Sequence, residues 1–350
     1  MTEKKEYMKA VVWDGPYKLS LKEVKKPVPS GGEVLIKTKA VGICGSDLEI
    51  FDGRFKQIIP PLIIGHEGGG IVEETGQGVT KVKNRDKVIV ECLLYCGECE
   101  NCRKGLYNLC SNHKVIGMIG HDGEYAEYFV APEKNVHKLP ENVSWAEAGL
   151  IDTLAGPVAG IEKTNLHLGS TVIVYGPGPA GLFFCKLAKL RGAGKVYLVG
   201  TRDNRLAFGE EYGADVTLNV NNDDVKNYIL KDTKGRGVDL AIESAGSPQA
   251  LNSSFEVLKK GGELLIYGVF GGGPVPVDIQ PIQINELIVK GLNASPFKYP
   301  DTIKLISSGK ISVKELISHT FKLEDLPQLF SSGFISSRRE NYMKGVVLFD

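Results

Sequence analysis

Thiols, an imidazole and carboxylates gather at a few places in this chain. The tightest group is Cys96-x2-Cys99-x2-Cys102-x7-Cys110, four thiols within fifteen residues. Four thiolates so spaced can close around a tetrahedral Zn2+ at about 2.3 Å each, leaving no open position. A site closed in this way is structural, and it folds a lobe with too little apolar content to fold alone. An iron–sulfur cluster or free thiols are the alternatives for such spacing. Three other segments offer mixed donors: Gly42-Ile43-Cys44-Gly45-Ser46-Asp47, Gly65-His66-Glu67-Gly68, and Leu150-Ile151-Asp152. Each has an ordinary explanation by itself, as buried packing, a satisfied histidine or a turn carboxylate. Beside a four-cysteine lobe they fit a catalytic zinc site, with three or four protein ligands and one exchangeable position.

A second chemistry lies further on. Gly176-Pro177-Gly178-Pro179-Ala180-Gly181 follows the apolar run Val172–Tyr175 and opens a helical stretch. This is G-x-G-x-x-G in its strand–turn–helix setting. The first glycine makes the turn, the second lets backbone approach a pyrophosphate, and the third lets helix and strand pack closely. At the end of the next apolar run, where an NAD site usually carries an acid for the ribose hydroxyls, stand Gly200, Thr201 and Arg202, with Arg205 behind. A hydroxyl and an Arg fork without a carboxylate suit a ribose 2′-phosphate, which predicts NADP over NAD. The rival is Asp203 as ribose acid; its position before a helical run reads better as an N-cap.

The elements that must position these groups differ between the two halves. Residues 8–95 carry strand-like segments, Met8–Trp13, Glu33–Ala40 and Lys87–Val90, separated by Gly/Pro turns. Residues 96–113 lack an apolar period and read as an irregular lobe. After about 157, apolar runs at 171–175, 196–199, 215–219, 238–242 and 263–267 alternate with helical stretches such as 179–190 and 203–212. That rhythm predicts a parallel sheet covered on both faces. The expected organisation is an α/β domain over 158–294 between two parts, 1–157 and 295–350, of a β-rich domain with a zinc lobe near 92–113.

Taken together, Gly65-His66-Glu67, the Cys44-Gly45-Ser46-Asp47 turn, the four-cysteine lobe and Gly176–Gly181 resemble the zinc-dependent medium-chain alcohol dehydrogenases over essentially the whole chain. The likeness is greatest to the polyol, sugar and threonine dehydrogenase branches. It implies a GroES-like β-rich catalytic domain plus a Rossmann doubly wound coenzyme domain. It implies two Zn2+ per chain, NADP or NAD, and hydride transfer between a hydroxyl-bearing substrate and the nicotinamide. Carried over by position, Cys44 and His66 match zinc ligands, and Glu67 matches an acid that ligates or approaches the metal. Asp152 falls where the polyol branch has Glu. Ser46 matches the hydroxyl that bonds the substrate oxygen, and Glu49 stands where the family often has the outer His of a proton relay. Lys344 falls where relatives place a basic residue near the cofactor phosphates. Relatives are dimers or tetramers, so a homo-oligomer is expected. An NAD-linked threonine or sorbitol-type dehydrogenase, a zinc-free quinone reductase and a non-enzymatic relative are the competing readings.

Composition narrows the partners. The 350 residues hold 42 Lys+Arg against 42 Asp+Glu, 42% hydrophobic and 24% charged. That balance gives no basic surface for nucleic acid or anionic membrane. No apolar run is long enough to span a bilayer, and the first residues lack an apolar leader, so the chain is expected in the cytoplasm. There, 7 cysteines point to metal or thiol chemistry rather than disulfides.

Overall fold

The structure, a computed structural model, describes residues 6–271, 273–337 and 342–350. It divides into two compact units, Met1–Thr153 with Tyr299–Asp350, and Leu154–Lys298. The break expected after residue 157 falls inside the helix Ile151–Lys163, which carries Pro157.

In the first unit the strand Glu33–Gly42 is the hub. It pairs antiparallel with Glu67–Thr75, Tyr128–Pro132 and Lys344–Leu348. The sheet continues through Lys87–Val90 to Val136–Lys138 on one side and Ile317–Phe321 on the other. The alternation read from the sequence is why: Val34 and Ile36 are buried with Val72, Val88, Val90 and Phe129 in one core cluster. Val41, at the other end of the same strand, and Ile43, just past it, join a second cluster with Trp13, Ile50, Phe51, Ile64 and Tyr125. Those two clusters clamp the ends of the strands from which the donor residues project. Residues 96–113 of the lobe are as irregular as their sequence, holding only the short helix Glu100–Arg103 and the 3-10 turn Tyr107–Leu109.

In the second unit the strands run in the order Val216–Asn219, Lys195–Gly200, Thr171–Tyr175, Val238–Glu243, Leu258–Ile266, Ile288–Gly291, with every neighbouring pair parallel. The helix Pro179–Leu190 follows the glycine turn. Gly178 is its N-cap and Pro179 occupies the first turn, where a missing N–H costs nothing. It buries Leu182, Phe183, Phe184 and Leu187, each burial stabilising by about 1.5–3 kcal/mol. It stops at Arg191, just before Gly192 with φ 94°.

The helix expected over 203–212 is shorter in the structure, Asp203–Leu206. Beyond it the chain runs in turns, with Gly209 N donating to Leu206 O, three residues back. Gly209 is a poor helix former. A Cβ there would also lie 2.7 Å from the Thr217 methyl, so this glycine serves close packing onto the neighbouring strand. Asp203 is not the N-cap either: Arg202 takes that place, and Asp203 sits in the first turn.

Candidate metal centre and coenzyme turn

Register brings the mixed donors together. Gly42 lies opposite Glu67 and Val41 opposite Gly68 in the antiparallel pair. Cys44, just past the end of one strand, and His66, just before the start of the other, therefore leave the sheet at the same end. Ligand atoms of Cys44, His66 and Glu67 all lie within 4.8 Å of one another. Sulfur, imidazole nitrogen and carboxylate oxygen in that space form a donor set that fits Zn2+. His66 and Glu67 are 4% and 3% exposed, so their polar atoms need hydrogen-bond partners, partner charges or an ion.

Asp47 holds this group in place. It is fully buried, with Oδ1 3.3 Å from His66 Nδ1, while Oδ2 accepts from the Cys44 N–H at 2.9 Å and the Tyr125 hydroxyl at 2.8 Å. A carboxylate behind an imidazole fixes the ring and its tautomer and leaves Nε2 for the metal. Burial opposes a proton on His66, but Asp47 and then Cys44 outweigh it and raise its pKa well above the ordinary value. Ser46 Oγ is 3.3 Å from His66 Nε2.

Glu67 is held from two sides. Thr153 Oγ1 donates to its Oε1 at 3.2 Å, and the Lys344 ammonium pairs with its Oε2. Lys344 is 5% exposed and starts the strand whose Val346 lies opposite Gly42. Lys344, expected near the cofactor phosphates, here has its charge buried against Glu67. Burial lowers its pKa, but Glu67 and Cys44 more than reverse that.

Asp152 does not join the three-residue group. Its Oδ1 accepts from the Tyr299 hydroxyl at 2.6 Å. Glu49 lies on the helix Gly45–Phe51, with a carboxylate oxygen 3.9 Å from Arg54 Nη1. Burial raises its pKa, and Arg54 pulls the other way. Of these positioning residues the sequence displayed Asp47, an acid three residues after Cys44 in N-capping register. Tyr125, Thr153 and Tyr299 carried no local signal.

In the lobe the sulfurs of Cys96, Cys99, Cys102 and Cys110 also lie within 4.8 Å of one another. Cys96 Sγ is 3.9 Å from Cys102 Sγ and 3.5 Å from Cys110 Sγ. These are far beyond a disulfide bond of about 2.05 Å. They bracket the edge of about 3.8 Å of a tetrahedron with 2.3 Å metal–sulfur bonds. Backbone N–H groups point at the sulfurs, Cys99 N to Cys96 Sγ and Asn112 N to Cys110 Sγ, both at 3.4 Å. N–H groups of Cys102 and Ser111 bring the Cys99 thiol down to about 6, favouring thiolate. The two spare thiols, Cys92 and Cys185, are pushed up by burial, which disfavours the thiolate.

The glycine turn is built for backbone. Gly176 has φ 105°, and a Cβ there would lie 2.9 Å from Ala245 N. A Cβ at Gly181 would collide with the Gly176 carbonyl. At Gly178 the space is open; the nearest atom to a Cβ would be Arg205 Nη1 at 3.9 Å. Arg205 is buried, Thr201 is exposed, and Asp203 Oδ1 accepts from Asn219 Nδ2 at 2.6 Å.

Residues 30–141 match the alcohol dehydrogenase GroES-like domain, and residues 179–308 match the zinc-binding dehydrogenase domain. D-arabitol-phosphate dehydrogenase of Enterococcus avium is 36% identical over 82% of each chain. Sorbitol dehydrogenase of Bacillus subtilis is 34% identical over 86% of each. This chain belongs to the zinc-dependent medium-chain alcohol dehydrogenase family. It is accordingly an NAD(P)-dependent zinc oxidoreductase of the alcohol and polyol dehydrogenase type. A zinc-binding dehydrogenase from Sinorhizobium meliloti bound to NADP superposes with a TM-score of 0.92 at 31% identity, covering 99% of this chain and 100% of its own. The fold of this dehydrogenase is thus a GroES-like domain with a Rossmann-type parallel sheet. Among its described residues no helix is long and apolar enough to cross a membrane.

Proposed function

We propose that this dehydrogenase moves a hydride between NADP and a polyol or sugar hydroxyl, with Cys44, His66 and Glu67 holding the catalytic zinc. Cys96, Cys99, Cys102 and Cys110 hold a second, structural zinc. The observation that carries the coenzyme choice is the end of the strand Lys195–Gly200, which has no acid and continues into Thr201 and Arg202. Asp203, the rival ribose acid, has its carboxylate engaged by Asn219. The substrate class rests on relatives that are named for arabitol phosphate and sorbitol.

When bound, zinc supplies Lewis acidity toward a substrate oxygen, and the nicotinamide supplies the hydride site. The residues of this chain orient and move protons. Asp47 keeps the His66 ring turned so that Nε2 faces the donor group. Lys344 pairs with Glu67 and holds it back by its second oxygen. Ser46, beside Nε2, accepts the substrate hydroxyl's proton as it gives up its own outward, so that its hydroxyl is left neutral. Glu49, which burial makes easier to protonate, passes that proton outward in place of a relay histidine. On the coenzyme side, Gly176, Pro177, Gly178, Pro179, Ala180 and Gly181 present backbone to the pyrophosphate, with Gly200 opening the ribose side. Thr201, Arg202 and Arg205 supply hydroxyl and guanidinium donors there.

The same reading includes a cytoplasmic homodimer or homotetramer, in a compartment that keeps zinc-binding thiols reduced. The test is kcat/KM for NADP and NAD across polyols, aldoses, secondary alcohols and threonine, together with zinc content. Preference for NADP with a polyol or sugar and about two zinc per chain is expected. Equal or better use of NAD overturns the coenzyme assignment, and one zinc per chain overturns the catalytic metal site.

A further inference from the structure

Gly200 is an ordinary extended residue at the end of its strand, so its backbone does not call for glycine. What calls for glycine is Pro177. A Cβ added at position 200 would lie 2.5 Å from Pro177 Cγ and 2.6 Å from Cδ, with Leu206 Cδ2 at 3.3 Å. The proline ring cannot rotate out of the way as a flexible side chain could. Its turn cannot retreat either. Gly176 is backed by Ala245, and Gly181 is wedged against the Gly176 carbonyl. Pro177 and Gly200 are both buried.

We propose that Pro177 is a specificity-determining residue: its ring fills the space through which any side chain at position 200 must grow, so this turn cannot coexist with an acidic ribose clamp. The inference deepens, and rests on, the reading of the coenzyme as NADP. The acid that discriminates for NAD sits at the strand end and accepts from the ribose hydroxyls. Here an acid at 200 pushes the Pro177 ring, and with it the N–H groups that receive the pyrophosphate. The proline and glycine therefore act as one unit. Changing the strand end alone damages the phosphate cradle before it can gain a ribose contact. The contact that bars the carboxylate leaves Thr201 and Arg202 as the polar groups past the strand end.

The experiment is a double-mutant cycle on the full-length zinc-loaded enzyme. NADP and NAD dissociation constants are measured by titration calorimetry, with thermal midpoints of the coenzyme-free proteins alongside. Gly200→Ala adds only the Cβ; it is expected to weaken both coenzymes by on the order of tenfold, from overpacking against the ring. Pro177→Ala removes Cγ and Cδ, and in the double variant affinity returns to within about threefold of the parent. Gly200→Asp alone is expected to lose both coenzymes, whereas Pro177→Ala with Gly200→Asp binds NAD at least about tenfold more tightly than Gly200→Asp alone and prefers it to NADP. Gly200→Ala binding like the parent, or Gly200→Asp gaining NAD as well as the double variant does, overturns the proposal. If Gly200→Asp does not fold, the alanine cycle decides. If the parent binds NAD as well as NADP, the coenzyme reading fails, while the coupling between positions 177 and 200 is still measured by the alanine cycle.

Discussion

The cysteine lobe and the Cys44–His66–Glu67 group both gather metal-binding atoms within 4.8 Å, but by opposite means. The lobe draws four like ligands from one short, irregular stretch. Its sulfurs are steered by neighbouring backbone N–H groups, and Cys96, Cys99 and Cys102 are only partly buried. The other group draws three unlike ligands from the ends of paired strands. It sits against a core that includes Ile43 and Ile64, and its charges are held by Asp47, Thr153 and Lys344. On the proposed reading, the lobe metal organises its stretch of chain. In the other group the chain is organised first, by sheet register and burial, and can leave a coordination position free for chemistry.

The contrast breaks most sharply by removing one ligand from each. Cys44→Ala is expected to lower kcat by about three orders of magnitude or more, since Lewis-acid help is worth several kcal/mol. Coenzyme affinity should hold nearly constant, and the melting temperature should change little because the sheet supplies the fold. Retained turnover in zinc-assayed protein would remove Cys44 from the catalytic site. Cys99→Ala is expected to act the other way round. Loss of the lobe metal should cost several kcal/mol, about 10 °C or more in Tm, with poor yield. Turnover per folded molecule should survive. A purely kinetic effect at unchanged Tm would contradict a structural lobe.

The same contrast explains what was legible beforehand. The lobe ligands, the glycine turn and the strand ends are local patterns, and spacing alone displays them. Cys44, His66 and Glu67 were visible as short motifs. Their union, however, depends on the pairing of Gly42 with Glu67, which a single sequence does not display. The supporting contacts are more remote still. Lys344 and Glu67 are 277 residues apart, and Tyr299 and Asp152 are 147 apart. For that reason neither the Lys344 pairing with Glu67 nor the role of Tyr299 was legible in the sequence. The 203–212 helix failed differently: its composition favours a helix, but Gly209 is needed for close packing against Thr217.

Asp47 sharpens the comparison at the next level: a carboxylate backs His66, whereas backbone N–H groups back the lobe sulfurs. Asp47→Asn keeps the shape but removes the charge behind His66. Loss of such a partner is expected to cost about 10–100-fold in zinc affinity or in kcat. Competition with a chelator measures the first directly. Zinc retention and kcat equal to the parent would show that the 3.3 Å contact does not tune the ligand.

The smallest effect concerns Tyr299, which lies between the two regions. Its ring stacks on His137 at 5.3 Å, and His137 Nε2 is 3.7 Å from Glu91 Oε2. The other Glu91 oxygen accepts from Tyr107, inside the lobe, at 2.6 Å. At its other end Tyr299 donates to Asp152, whose carboxyl is raised to about 6, by burial first and then by Glu67, with His66, Tyr299 and Lys344 pulling it back. A raised acid resists ionising in the folded state, so its contribution to stability falls as pH climbs from about 4 through 6. Tyr299→Phe removes one of the groups favouring the ionised form. The variant should therefore lose more stability at pH 8 than at pH 5, by at most about 3 kcal/mol, the upper value of a hydrogen bond to a charged group. The comparison is made on enzyme whose open site has been emptied by a chelator while the closed four-cysteine site keeps its zinc. A Tm deficit of the same size at both pH values would mean that Tyr299 only packs against His137 and does not hold the Asp152 carboxylate.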